Sequence, residues 1–139
     1  MSEKFRVVAT DGFDTEAADI LKKNPGIDLQ VHKGVPPTEL VAAIKDADLV
    51  LVRSATTLKR DVMLQLPNLK CALRAGVGID NIDLKAADEL GVYVWNAPTG
   101  NFQATAELAI GLIFAAARKI PLADAGAKSG KWLKKEIGK

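Results

Sequence analysis

Two arginines each stand at the end of a short apolar run. Arg53 follows the run 49–52, and Arg74 follows the run 71–73. A guanidinium group presents a planar set of donors that can hold a carboxylate or a phosphate through two hydrogen bonds. Ser54 and Thr56 add hydroxyl groups beside the first arginine. These residue types are typical of an anion-binding site, but arginines at such positions also form ion pairs within the protein. The acidic residues available for such pairs are Asp80, Asp83 and Glu107.

A short glycine turn, Gly76-Val77-Gly78, comes just after Arg74. Backbone N–H groups in such a turn can approach an anion closely, although many glycine turns only close a loop. The turn does not complete the G-x-G-x-x-G pattern of dinucleotide-binding loops, because Asn81 stands where the third glycine is required. The pattern therefore favours a simple loop or an anion-binding backbone over a dinucleotide site.

The single histidine, His32, and the single cysteine, Cys71, limit the remaining chemistry. One histidine cannot form a His-based metal cluster, and we predict no metal site. His32 has no evident acidic partner for catalysis. Cys71 lies within an apolar strand, where a buried and unreactive thiol is expected, and it cannot form an internal disulfide. Trp95, which ends a later apolar run, is expected to pack in the core.

The composition describes an ordinary globular chain. It has 139 residues, of which 48% are hydrophobic and 26% are charged, and this is typical of one domain with or without a tail. A formal charge of +2 does not favour nucleic-acid binding. The N-terminus has no apolar signal segment, and the longest apolar run is about half as long as a membrane span. We therefore expect a cytoplasmic chain that binds neither nucleic acid nor membranes.

Short apolar runs alternate with amphipathic segments up to about residue 100. Strands are predicted at 5–10, 28–31, 48–53, 70–74 and 92–95. Helices are predicted between them at 15–23, 39–45, 58–66 and 83–90, with Asp14 and Thr38 as candidate N-caps. This order predicts an α/β fold: a flavodoxin-like, doubly wound, five-stranded parallel sheet with strand order 2-1-3-4-5. Ligands of such sheets bind beyond the carboxyl ends of the strands, where both arginines are expected.

The pattern changes after residue 100. Asn101 is a candidate helix cap, and a helix is predicted over 102–119 with apolar residues nearly all round, so we expect it to be buried on more than one side. Pro121 starts another predicted helix that extends toward Trp132. We therefore predict a flavodoxin-like lobe at 1–100 and connecting C-terminal helices at 101–139.

Five segments together resemble the NAD-dependent D-2-hydroxyacid dehydrogenases, and within them the N-terminal, substrate-binding lobe of the phosphoglycerate dehydrogenase branch. The segments are Arg53-Ser54-Ala55-Thr56, the run from Arg74 to Asp83, the run from Asn96 to Asn101, Ala106-Glu107, and Gly130-Lys131-Trp132. The match covers nearly the whole chain. Each segment alone is a weak signal, but their order and spacing are specific.

The resemblance implies a role for several residues. Arg53, Ser54 and Arg74 match positions that bind the phosphate and carboxylate of a phosphorylated 2-hydroxy acid. Val77 and Gly78 match the turn whose backbone meets the substrate carboxylate. The positions implied on the cofactor side are Val77 and Thr105, and those implied in the hinge between the two lobes are Asn96 and Asn101.

The departures from the family are equally informative. The family's dinucleotide fingerprint follows the Gly-Lys-Trp segment, and this sequence ends at Lys139. No residue matches the family's catalytic arginine, glutamate and histidine, so no catalytic residue is assigned. We therefore expect a truncated lobe of a serine-biosynthesis oxidoreductase that neither binds NAD nor catalyses alone. We also expect a homodimer formed through the helix at 101–119, since its apolar surface would drive association.

Two alternatives remain open at this stage. One is a ligand-free structural fragment. The other is a small flavodoxin-like binding or regulatory module, such as a receiver domain. Asp11 fits the acidic end of a receiver's first strand, but Arg53 occupies the position of the phosphoacceptor aspartate.

Overall fold

The computed structural model describes residues 4–138, which form two compact units, one extending to Gly100 and one beginning at Asn101. The first unit contains a five-stranded, all-parallel sheet with strand order β2-β1-β3-β4-β5. The predicted fold class and strand order are therefore confirmed. The strands are β1 (Phe5–Ala9), β2 (Ile27–Val31), β3 (Leu49–Val52), β4 (Cys71–Arg74) and β5 (Tyr93–Asn96).

Helices connect the strands in the predicted order, although the third is shorter than the predicted 58–66. The helices of the first unit are α1 (Thr15–Lys22), α2 (Leu40–Ile44), α3 (Arg60–Met63) and α4 (Leu84–Glu89). Asp14 caps α1 as predicted, since its carboxylate accepts a hydrogen bond from the N–H of Ala17 at 3.0 Å. The predicted cap of α2 is wrong: the N-cap residue is Glu39 rather than Thr38, and no side chain bonds to the helix start.

The core lies on the face of the sheet that α2, α3 and α4 cover. Val8, Val50 and Ala72 are register partners on this face and are buried. The helices contribute Ile44, Met63, Ala86 and other apolar residues to the same cluster. Burial of these side chains on both strands and helices supplies the main driving force for folding of this unit.

The opposite face of the sheet is covered unevenly. Ala18 of α1 is buried, as are Val7 and Ala9 of β1 on this side. Tyr93 and Trp95 of β5 are 78% and 70% exposed. The expectation that Trp95 packs in the core is therefore wrong, because its side chain extends from the face opposite the buried cluster.

The second unit contains only helices, α5 (Phe102–Ala117), α6 (Ile120–Lys128) and α7 (Lys134–Ile137). No residue of α5 is buried, so the expected burial on more than one side is also wrong. The predicted second helix ends at Lys128 rather than near Trp132, because Gly130 turns the chain at a φ of 72°. Within residues 4–138 no helix is both long and apolar enough to span a membrane.

Asp48, which precedes β3, links this strand to β1 and to the start of β4 at the amino-terminal edge of the sheet. Its carboxylate accepts hydrogen bonds from the N–H of Arg6 at 2.9 Å and from Nζ of Lys70 at 2.7 Å. The Lys70 ammonium and the Arg6 N–H hold the pKa of Asp48 below its usual value of 3.8. A carboxylate that is stabilised in this way stabilises the folded state whenever it is ionised.

We expect Asp48→Asn to lower the free energy of unfolding at neutral pH and to make it less sensitive to acid. The contribution of the carboxylate is present above its ordinary pKa of 3.8 and is lost as the pH falls through the lower folded-state pKa. Urea unfolding from pH 7 down to about pH 2 measures this, and the difference between wild type and variant should shrink toward the acid end. Asp28→Asn, at an exposed carboxylate, is the control and should change little. A pH-independent difference for Asp48→Asn would contradict the prediction.

Candidate anion-binding site at the carboxyl ends of the strands

A cleft of about 600 Å³ opens at the carboxyl-terminal edge of the sheet. It lies beyond the ends of β1, β3 and β4, where parallel sheets of this kind bind ligands. The residues that line it are Gly12, Phe13, Asp14, Arg53 and Ala75. Asp14 is the one carboxylate in this lining, and its Oδ1 is engaged at the positive start of α1.

Arg53 follows β3 and has an exposed side chain. In the described chain, no carboxylate oxygen lies within 4.0 Å of its guanidinium, so it forms no ion pair there. Ser54 is exposed beside it. A guanidinium that is not already neutralised keeps its full capacity to bind a carboxylate or phosphate.

Arg74 ends β4 and has the opposite environment. Its side chain is only 13% exposed, and its Nη1 donates to Oδ1 of Asp80 at 2.8 Å. This guanidinium holds the pKa of the exposed Asp80 carboxyl below its usual value. Of the two interpretations that the sequence left open, the ion pair with a nearby acid therefore describes Arg74, whereas Arg53 forms no such pair within residues 4–138.

The glycine turn after β4 lies over the Arg74 side chain and is held by the end of β5. Nδ2 of Asn96 donates to the carbonyl of Val77 at 2.7 Å, and the N–H of Ala97 donates to the carbonyl of Gly76 at 3.0 Å. Within residues 4–138 no protein group accepts the N–H of Val77 or Gly78. Both residues are exposed, so these two donors remain available to an anion.

Asp11 and Asn81 were not predicted as site residues, yet both contact the loop that bears Arg53. Oδ2 of Asp11 accepts the N–H groups of Arg53 and Thr56 at 2.8 and 3.0 Å, and its Oδ1 accepts the Thr56 hydroxyl. Nδ2 of Asn81 donates to the carbonyls of Arg53 and Thr56 at 2.7 and 2.6 Å. The aspartate at the end of the first strand was the available signal for Asp11. Nothing local marks Asn81, whose partners lie 28 and 25 residues away.

Two further residues considered in the sequence do not line this cleft. His32 follows β2, is half-buried, and lines a separate cavity of about 350 Å³ with Glu39 and neighbouring residues. Cys71 is half-buried, and burial raises the pKa of its thiol, which makes it a poor nucleophile. No three His, Cys, Asp or Glu residues in the described ranges are grouped so as to hold a metal ion.

The geometry after β4 does not fit a dinucleotide. In dinucleotide-binding loops the glycines lead directly to a helix whose first N–H groups meet the pyrophosphate. Here α4 begins at Leu84, six residues beyond Gly78, and the Asp83 carboxylate already accepts the N–H of Ala86 at 3.0 Å. A phosphate group at this helix start would meet a carboxylate.

The residues implied on the cofactor and hinge sides belong to both units. Val77 is 43% exposed in the glycine turn of the first unit. The Thr105 hydroxyl donates to the carbonyl of Asn101 at 2.8 Å in the first turns of α5. Asn101 is the N-cap residue of α5, as predicted, but its side chain makes no capping hydrogen bond.

Residues 7–136 match the sequence model of the D-isomer specific 2-hydroxyacid dehydrogenase family, catalytic domain. The chain belongs to this family, and the resemblance noted in its motifs is confirmed. Among its relatives are D-3-phosphoglycerate dehydrogenases. The one from Archaeoglobus fulgidus is 44% identical over 132 residues, which are 95% of this chain and 25% of that protein. The chain thus spans about a quarter of the length of this relative.

Solved structures agree with this assignment. The TT0316 protein from Thermus thermophilus superposes with a TM-score of 0.82 at 32% identity, over 91% of this chain and 41% of that one. The NAD+-bound 3-phosphoglycerate dehydrogenase from Entamoeba histolytica gives a TM-score of 0.72 at 32% identity, over 84% of this chain and 40% of that one. The fold and the sequence therefore point to the same family.

We expect Gly78→Ala to break the Arg74–Asp80 ion pair while leaving the fold intact. A Cβ atom at Gly78 would lie 2.8 Å from Oδ1 of Asp80 and 3.2 Å from Nη1 of Arg74. The exposed Asp80 side chain can rotate away, so the loss of stability should be small. The pKa of Asp80, followed by NMR titration of its carboxyl carbon, should rise toward its ordinary value.

The matched control for this change is Gly34→Ala, because a Cβ atom at Gly34 meets nothing within 4 Å. It should leave the Asp80 titration unchanged. If the pKa of Asp80 is the same in Gly78→Ala as in the wild type, the ion pair does not depend on the glycine.

Proposed function

We propose that the first unit binds a phosphorylated 2-hydroxy acid, with D-3-phosphoglycerate as the substrate, and serves as the substrate-binding lobe of an NAD-dependent phosphoglycerate dehydrogenase. The observation that supports this most directly is the exposed guanidinium of Arg53 in the cleft at the carboxyl ends of the strands, which pairs with no carboxylate of residues 4–138. The names of the relatives and the family membership support the choice of substrate class.

The proposed contacts divide the two ends of the substrate between two loops. Arg53 and Ser54 bind one anionic group through charge-assisted and hydroxyl hydrogen bonds. The N–H groups of Val77 and Gly78 bind the other. Arg74 places a positive charge beneath this turn, which favours an anion above it even though Asp80 shares that charge. The arrangement orients the substrate by its two charged ends and leaves the hydroxyl-bearing carbon between them.

Dehydrogenation itself is not expected from this chain. In the complete enzyme, bound NAD would supply the acceptor for a hydride from the hydroxyl-bearing carbon. The residues after β4 do not offer a pyrophosphate site, and no residue of the chain matches the family's catalytic arginine, glutamate and histidine. In the complete enzyme we propose that Val77 and Thr105 lie on the cofactor side and that Asn96 and Asn101 belong to the hinge between lobes. The contribution of this chain is to bind and orient the substrate.

Arg53→Ala should abolish most of the affinity for D-3-phosphoglycerate. Loss of a charge-assisted hydrogen-bonding partner costs about 1.5–3 kcal/mol, which weakens Kd by about 10- to 150-fold. Titration of isotopically labelled chain, followed through backbone amide shifts, measures this. In the wild type the saturable shifts should fall on Ser54, Val77 and Gly78, and NAD should cause none.

Arg60→Ala is the matched control, since Arg60 lies on α3 and pairs with Glu89 rather than facing the cleft. This variant should bind like the wild type. Binding that survives Arg53→Ala would show that the site is misassigned. A wild-type chain that shows no shifts would favour the alternative of a ligand-free structural fragment.

We also propose that the chain forms a homodimer through α5. Large apolar residues along this helix have exposed fractions between 55% and 65%, which is unusual for a helix that faces water. They are Phe102, Leu108, Ile110, Leu112, Ile113 and Phe114. Association that buries these side chains removes apolar surface from water and stabilises the helix.

Ile113→Asp should shift the dimer toward monomer, because it places a charge in the middle of the apolar surface. Sedimentation velocity at tens of micromolar measures the distribution. Gln103→Asp, a charge placed at a polar position of the same helix, should leave the dimer intact. A monomeric wild-type chain at this concentration would refute the proposal.

A further inference from the structure

The first four residues of the loop between β3 and α3 form a segment that is held from two sides at each end. Its end residues are Arg53 and Thr56. Each donates its N–H to Asp11 and each offers its carbonyl to Asn81, over distances of 2.6–3.0 Å. The Thr56 hydroxyl adds a further hydrogen bond to Asp11. The polar backbone groups at both ends of the segment are thus satisfied by two side chains from other loops.

The environments of Asp11 and Asn81 strengthen the hydrogen bonds by which they hold this segment. Asn81 is 7% exposed and Thr56, which it contacts, is 5% exposed, so the contact between them is largely shielded from water. Burial opposes ionisation of Asp11, but hydrogen bonds from Thr56 and Arg53 outweigh it, so the pKa of Asp11 lies below its ordinary value. Asp11 therefore stays ionised at neutral pH and makes charge-assisted contacts.

Asn81 also joins the Arg53 loop to the glycine turn. It lies three residues beyond Gly78, and its carbonyl accepts the N–H of Leu58 at 2.9 Å. Leu58 and Ile82 then form an isolated parallel bridge, and both side chains are buried. Backbone hydrogen bonds therefore join the loops that follow β3 and β4, so displacement of one loop is coupled to the other.

A purely structural role does not account well for the chemistry of Asn81. Its Oδ1 is buried and has no partner in residues 4–138, a cost that buried amides normally avoid. The side chain is oriented so that Nδ2 donates to both carbonyls at the ends of the segment, those of Arg53 and Thr56. Between these fixed ends the side chains of Arg53 and Ser54 are exposed, so the hydrogen bonds restrain the backbone and leave the binding groups free.

We infer that Asp11 and Asn81 are positioning residues for the anion-binding groups, holding Arg53 and Ser54 at a fixed distance from the glycine turn. The inference rests on the proposed function, since it names the residues that set the geometry of that site. Binding groups lose much of their effect when they are displaced by even about 1 Å, so residues of this kind control affinity without touching the ligand.

The test uses the full 139-residue chain and compares Asp11→Asn, Asn81→Asp and wild type. Asp11→Asn removes the charge and one acceptor, and Asn81→Asp replaces the donor with an acceptor that repels both carbonyls. Each variant should weaken Kd for D-3-phosphoglycerate by at least about tenfold. Amide hydrogen exchange at residues 53–56 should accelerate while the strands stay protected. Affinities for inorganic phosphate should rank the wild type and the variants in the same order.

Asp48→Asn is the matched control. It removes a carboxylate that also joins strands through backbone and side-chain donors, but at the opposite edge of the sheet. It should lower thermal stability and leave Kd unchanged. If Asp11→Asn or Asn81→Asp fails to fold, Thr56→Val removes only the hydroxyl contact to Asp11 and should still weaken binding measurably.

The outcomes separate the two proposals. Folded variants that bind with wild-type affinity would overturn the positioning role and leave the proposed function standing, and so would an equal loss of affinity in Asp48→Asn. A wild-type chain that binds neither D-3-phosphoglycerate nor phosphate would refute the proposed function, and the positioning role would be rejected with it.

Discussion

The parallel direction of all five strands is the constraint on which the site depends. Because every strand runs the same way, every carboxyl end reaches one edge, and residues far apart in sequence meet there. Asp11 and Arg53 follow β1 and β3, Arg74 ends β4, and Asn96 ends β5. At the amino-terminal edge, the Asp48 carboxylate joins neighbouring strands. The sheet therefore places a stabilising carboxylate at one edge and the candidate site at the other.

The two arginines at the carboxyl-terminal edge have different environments. Arg74 is largely buried and paired, and it supports the glycine turn from below while Asp80 balances part of its charge. Arg53 is exposed and unpaired among the described residues. A site that has one fixed and one free guanidinium can hold its shape before a ligand arrives, so little ordering is required when the ligand binds.

The sheet and its order could be predicted because they depend on local patterns: consecutive apolar residues such as 49–52 and a helix between each pair of strands. The positions of Arg53, Arg74 and the glycine turn followed from those strand ends. The exposure of Trp95 and of α5 could not be predicted, since an apolar side chain does not reveal whether anything covers it. Asn81 was missed for a related reason, because its hydrogen bonds join residues that only the folded topology brings together.

The crowding at Gly78 limits how this loop can change over evolution. A side chain there would meet Asp80 and Arg74, whereas Val77 is 43% exposed between the two glycines. The Val77 side chain therefore points away from the ion pair that a side chain at Gly78 would displace. The loop can present a different side chain at position 77 without crowding Asp80, which position 78 does not allow.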